Sequence, residues 1–231
     1  MMKKLTSSAM QPAETLFGLL WCVIHFFLLS DLLPRLCAVY LPRLTASAVN
    51  ALYYTVSLAI LLLIYRRYLS AAARVFQHHI GRCLAAFLLG FAVYLLYALA
   101  RQYLFRLWGI EFLTYNDDLF SRYASEDLWP LGYCALFAAP ICEELLLRGV
   151  VFEALQRRSV ILAYALSSLL FGLIHTWQFL FVRDFTAVLL CCLSYIPAGL
   201  VFAGVYRKSG TVFPAILLHS TLNVLSVLKY L

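Results

Sequence analysis

The chain has 231 residues, of which 64% are apolar and only 13% are Asp, Glu, Lys or Arg, with a formal net charge of +7. A soluble domain carries about a quarter charged residues, and a water-soluble fold of this size has too small a core to hide so much apolar surface. The composition excludes a disordered chain and an ordinary soluble enzyme, and makes lipid the solvent for most of the chain.

Residues 1–13 are polar and include Lys3 and Lys4. The apolar run 15–33 follows; it is too long for a signal peptide and has no small-residue cleavage site, so it reads as an uncleaved first transmembrane helix. Residues 33–43 contain Pro34 and Pro42 and read as a short connection. A second span covers 45–65, and 70–77 suits a helix lying on the membrane surface. His78 and His79 are adjacent, so on a helix they point apart, which favours a solvated loop over a metal site. The third span is 83–100. Residues 101–127 form the longest polar stretch, with Glu111, Asp117, Asp118, Glu126 and Asp127 among scattered aromatic side chains, and read as an interfacial loop or lid. The acidic spacing there matches no calcium loop. Four more apolar runs follow, at 128–147, 160–182, 185–206 and 211–231, each near the roughly 20 residues that cross a bilayer core. The expected fold is all-α: a polytopic helical bundle of about seven transmembrane helices with an extra interfacial helix.

Lys and Arg sit in ones and twos at the ends of these runs, as at Arg66-Arg67, Arg157-Arg158 and Arg207-Lys208. That placement sets topology and argues against a nucleic-acid face. With seven spans, the side of the N-terminus collects Lys3, Lys4, Arg66, Arg67, Arg74, Arg82, Arg157, Arg158, Arg207 and Lys208. The other side collects Arg35, Arg43, Arg101, Arg106, Arg122, Arg183 and Lys229. The bias puts the N-terminus in the cytoplasm. The seven cysteines lie mostly in apolar runs with no CxxC and no zinc spacing, so they read as small buried hydrophobes.

Ionisable groups at membrane depth are costly and mark function. Glu144 and Arg148 stand at i,i+4 with the Glu first, the favourable order for a helical ion pair. Glu143 lies about 100° round the same helix and has no cation of its own there. His175 ends the sequence Phe171-Gly-Leu-Ile-His175. Glu143 lies 16 residues before Ser159 and His175 lies 16 after it, so a helical hairpin turning at Ser159 places both at one depth. His219 and Asn223 share a face of the last helix at i,i+4. Asn223 is 14 residues past Ser209 in the second hairpin, close to the same depth. Pro197 and Gly199 suggest a kink or close packing beside this layer.

A carboxylate and a histidine can share a water, take its proton and return it to a leaving group. A second histidine and an asparagine can donate to a developing oxyanion. The same Glu143, His175 and His219 can instead ligate zinc and leave one position open for water. The residue types and their spacing leave both chemistries open. The HExxH helix of soluble zinc proteases is absent.

The chain resembles the CPBP intramembrane proteases (CAAX-processing and bacteriocin-processing), which include the type II prenyl-protein endopeptidases. The resemblance rests on Glu143-Glu144-Leu-Leu-Leu-Arg148, Phe171-Gly-Leu-Ile-His175 and His219-Ser-Thr-Leu-Asn223, in that order on apolar helices. It covers residues 129–227. Each motif alone is weak; the ordered set is specific. The resemblance implies a membrane endopeptidase in which Glu143 and His175 activate water, His219 and Asn223 hold the oxyanion, and Glu144 with Arg148 shapes the site. Members of the family are described both as metal-dependent and as glutamate-type. Donation from His219 and Asn223 favours the glutamate type, with no cofactor rather than a divalent metal such as zinc.

Residues 128–231 are therefore expected to form the catalytic core, and residues 1–127 are left without an assigned role. The expected partners are the bilayer and a membrane-associated peptide or protein substrate, with no nucleic acid. The compact chain with short loops points to a bacterial inner-membrane enzyme that trims a peptide, a lipopeptide or a C-terminal anchor. The competing readings are a non-catalytic immunity or partner-binding protein that keeps the fold, and a small proton-coupled transporter; the lack of paired half-repeats disfavours the latter.

Overall fold

A backbone in lipid must satisfy its own N–H and C=O groups, and helices do so within one segment. The computed structural model describes residues 10–109, 114–181 and 183–230. Among these residues there are nine helices and no strand. Lys3 and Lys4, Glu111 and Phe112 of the polar stretch, Val182 and Leu231 lie outside the described residues.

Helix α1 spans Pro12–Tyr40. Pro12 sits in the first turn, where its missing N–H costs nothing, and Glu14 accepts a hydrogen bond from the Gln11 amide at 2.9 Å. The helix does not stop for the connection expected at 33–43. It passes a π-helical turn at Ile24–Leu29 and continues through Pro34. Pro34 cannot donate to the Ser30 carbonyl, and Gln178 donates to that oxygen from outside the helix at 3.4 Å. Helix α2, Ala46–Ile64, agrees with the second expected span; the Thr45 hydroxyl caps it by accepting from the Ala48 amide. Helix α3, Arg66–His78, is amphipathic: Tyr68 and Ala72 are buried while Arg66, Arg67 and Arg74 are exposed. His78 and His79 end this helix rather than lying in a loop.

Helix α4 spans Ile80–Leu107, and α5 spans Tyr115–Glu126. The stretch 101–127 is thus mostly helical, not a loop. Its acidic residues explain why. Asp117 closes a capping box with Thr114, Asp118 pairs with Arg122 at i,i+4, and Asp127 caps the following helix at the Trp129 amide. Glu126 accepts from the Ser47 amide at 2.8 Å and ties α5 to the start of α2.

Helix α6 runs unbroken over residues 128–156, with π-helical turns at Cys134–Ala138 and Leu145–Phe152. Helix α7 is Val160–Ile174, α8 is Phe185–Ser209 and α9 is Phe213–Val227. The fifth run was expected to continue to 182 and ends eight residues earlier. Its last carbonyls are taken by side chains: His175 Nδ1 bonds the Phe171 carbonyl at 2.7 Å, and the Thr176 hydroxyl bonds that of Gly172 at 3.0 Å. Gly210, at φ 75°, closes α8 with the left-handed residue that a helix end favours.

The seven apolar runs of the sequence fall on helices α1, α2, α4, α6, α7, α8 and α9. By length and composition four helices suit a bilayer crossing: α1, α2, α4 and α8. Helices α7 and α9 are apolar but have 15 residues each, and α6 carries the buried charges. The protein is an integral membrane protein. The ends of three hairpins meet: the Thr211 hydroxyl bonds the Ala72 carbonyl at 3.0 Å, Phe76 packs on Phe213, and Tyr206 donates to Glu153 at 2.9 Å. This end therefore gathers the basic residues of α3, of the α6–α7 turn and of the α8–α9 turn.

Helices α7 and α8 approach closely at small residues. A Cβ on Gly172 would lie 2.6 Å from the Cys192 carbonyl, and one on Gly199 would lie 2.9 Å from the Ser168 backbone. All seven cysteines are free thiols, five of them buried.

Candidate active site

Glu143 and Glu144 lie in the short α-helical stretch between the two π turns of α6. Such turns widen the helix and free backbone carbonyls, and neighbouring side chains take them up. The Ser167 hydroxyl donates to the Leu147 carbonyl at 3.2 Å, and the Cys22 thiol to that of Leu146 at 3.9 Å. Pro140 has no N–H for the carbonyls four and five residues behind it. One of these, Ala135, accepts from Asn223 Nδ2 at 3.0 Å.

The ion pair expected from the i,i+4 spacing is present: Arg148 Nε lies 3.1 Å from Glu144 Oε2, and both side chains are fully buried. Arg148 also donates to the Gly199 carbonyl at 2.9 Å and lies over the rings of Phe171 and Phe202. Glu144 Oε1 faces His219 Nδ1 at 3.0 Å. A carboxylate there fixes the proton on Nδ1 and orients the ring. Phe202 stacks on His219 with centroids 4.8 Å apart, and Tyr195 stacks on His175 at 4.6 Å.

Both histidines turn Nε2 toward one oxygen. Glu143 Oε2 lies 3.7 Å from His175 Nε2 and 3.9 Å from His219 Nε2. Because Nδ1 of His175 donates to the Phe171 carbonyl, its Nε2 is left as an acceptor in the neutral ring. Glu143 Oε2 is buried and has no hydrogen-bond partner among the described residues. The other oxygen, Oε1, accepts from the Tyr54 hydroxyl at 2.7 Å. The two N···O separations exceed a direct hydrogen bond and suit a water held by both groups.

The four residues at equal expected depth therefore converge. Glu143, His175, His219 and Asn223 all line one cavity of about 590 Å³. Its remaining walls come from α1, α2, α5 and α6 and from the segment after α7, with Phe26, Asn50, Tyr123 and Trp177 among them. His175 stands at the end of α7, not inside a longer span, but at the depth that the hairpin offsets predict. Tyr54, Tyr195 and Phe202 were not singled out in the sequence. Tyr54 lies 89 residues from Glu143 in an apolar helix with no motif, so no local pattern could have found it.

Glu143, His175 and His219 are chemically suited to zinc. Their spacing is wider than the edge of about 3.3 Å between ligands of a tetrahedral zinc ion. Among the described residues, no group of three His, Cys, Asp or Glu stands in a metal-binding arrangement. The donor set suits the metal, whereas the observed geometry does not match it.

No curated protein and no solved structure matches the chain. Residues 125–225, from the last turn of α5 into α9, match the family model described as type II CAAX prenyl endopeptidase, Rce1-like, the group to which the three motifs bear their resemblance.

Proposed function

We propose that the protein is an intramembrane endopeptidase that hydrolyses a peptide bond in a membrane-associated peptide or protein. The observation that carries this reading is the pair of imidazole Nε2 atoms aimed at the free oxygen of the buried Glu143 in one cavity. In the mechanism, Glu143 Oε2 and His175 Nε2 hold a water, and Glu143 takes its proton as the oxygen adds to the scissile carbonyl. The Glu144 carboxylate on Nδ1 orients His219, whose Nε2–H in the imidazolium form donates to the oxyanion. Asn223 adds its second N–H, the first being used on Ala135. Collapse of the tetrahedral intermediate returns the proton from Glu143 to the leaving amine. Every step uses groups of this chain on water, and the reading is of the glutamate type.

Residues 128–231 supply the reacting groups in this reading, and residues 1–127 supply the opposite wall of the cavity. The family description makes a prenylated CAAX tail the first substrate to test. A bacterial inner-membrane setting would supply a lipopeptide or a C-terminal anchor instead. The basic residues gathered at the α3 end of the bundle support a cytoplasmic position for that end.

The test uses a quenched fluorescent peptide ending in a farnesylated CAAX sequence, together with comparative peptidomics of cells carrying the wild type or Glu143→Gln. Cleavage by the wild type and its loss in Glu143→Gln, with unchanged membrane insertion, is the expected result. Equal cleavage by both would overturn the reading.

A further inference from the structure

We propose that Tyr54 is a positioning residue of the site: its hydroxyl claims one oxygen of Glu143 and thereby turns the other toward His175 and His219. A carboxyl group at the end of a rotatable side chain presents its two oxygens interchangeably unless one is held. The Tyr54 hydroxyl holds Oε1 at 2.7 Å, the short distance of a bond to a charged acceptor. The oxygen left over is the one that both imidazoles face. Tyr54 thus selects which lone pairs of Glu143 meet the water.

Tyr54 is itself held in place. Its backbone carbonyl accepts from the Cys142 thiol at 3.8 Å, on the residue next to Glu143. The next residue, Thr55, bonds the Tyr133 hydroxyl of α6 at 3.1 Å. On the other side, the Tyr54 ring packs edge-on against Tyr53 and His25, with centroids 4.7 and 5.7 Å away. His25 is fully buried and fixed at both ring nitrogens, by the Ser57 hydroxyl at 2.5 Å and the Tyr53 hydroxyl at 3.0 Å. This polar knot ties α1 to α2 beside Tyr54. Residues before 128 therefore enter the geometry of the site, although the three motifs all lie after it.

The kinetic consequence rests on the peptidase reading; the spectroscopic one rests on geometry alone. With the quenched peptide above, Tyr54→Phe is expected to lower kcat roughly 10- to 100-fold with KM within about twofold, because a misplaced base costs turnover more than binding. Its melting temperature in detergent is expected to stay near that of the wild type. A kcat within about twofold of wild type would overturn the proposal while leaving the peptidase reading intact, since Glu143→Gln tests that reading separately. If the wild type itself fails to cleave the peptide, infrared spectroscopy decides. The Glu143 carboxylate band, isolated as wild type minus Glu143→Gln, is expected to move in the Tyr54→Phe background, and a band that stays in place would overturn the proposal. Tyr65→Phe is the control: Tyr65 bonds the Glu14 carbonyl, away from the cavity, and is expected to move neither quantity. An equal effect from that control would also overturn the proposal.

Discussion

Glu144 joins two helices through its two oxygens: one meets Arg148 on its own helix at 3.1 Å, and the other meets His219 on α9 at 3.0 Å. The arrangement neutralises a fully buried carboxylate while using it to aim an imidazole. It also makes Arg148 the more dangerous residue to remove. Arg148→Met would leave the buried Glu144 carboxylate without its guanidinium, with only His219 beside it, and would remove the added donor to the Gly199 carbonyl. Loss of one partner of a buried pair costs about 3–5 kcal/mol. We expect Arg148→Met to melt far below the wild type in detergent. Arg148→Lys should restore it only in part, because an ammonium has neither the fork nor the flat face that lies over Phe171 and Phe202.

Asn223 has two tasks that can be separated. One N–H bonds the Ala135 carbonyl, which Pro140 leaves without a backbone donor. The other is available to an oxyanion. Asn223→Ala is expected to lower stability by about 1–3 kcal/mol through the orphaned carbonyl, and kcat by roughly 10²–10³-fold through the lost donor. Adding Pro140→Ala returns an N–H to α6. The double variant should therefore recover its melting temperature but not its turnover. Recovery of both would show that Asn223 acts only through the fold.

The parts of the site legible in the sequence were those set by helical periodicity. The Glu144–Arg148 pair follows from a spacing of four, and the common depth of Glu143 and His175 from equal offsets about Ser159. What was not legible depends on contacts between distant segments. Pro34 marked an end of α1 that a donor on Gln178, 144 residues away in sequence, makes unnecessary. His175 looked like an interior residue because its own side chain ends the helix, by bonding Phe171. The polar stretch looked like a loop because capping boxes and i,i+4 pairs use the same residues as loops do. Tyr54 was invisible for a different reason: an aromatic residue in an apolar span is ordinary until a carboxylate is packed against its hydroxyl.

The close approach of α7 and α8 sets the height of His175. A Cβ at Gly199 would meet the Ser168 backbone, and Gly199 also supplies the carbonyl that anchors Arg148. Gly199→Val should push the helices apart, at about 1–3 kcal/mol for overpacking, and move His175 away from Glu143. We expect the variant to insert and remain folded by circular dichroism while losing most of its turnover. A variant with full activity would show that the α7–α8 distance is not coupled to the site.

The metal question turns on two distances. Glu143 Oε2 stands 3.7 and 3.9 Å from the two imidazole nitrogens. Tetrahedral zinc would need all three edges nearer about 3.3 Å, whereas a water hydrogen-bonded to the same atoms tolerates the wider spacing. The glutamate-type reading therefore predicts that purified protein turns over with well under one equivalent of zinc by elemental analysis. It also predicts that prolonged treatment with phenanthroline leaves kcat within about twofold. Loss of activity to the chelator, with full recovery on adding one equivalent of zinc but not magnesium, would overturn that reading. It would assign Glu143, His175 and His219 as ligands that close on the ion by about half an ångström. Neither outcome touches the peptidase activity itself, which the Glu143→Gln comparison tests separately.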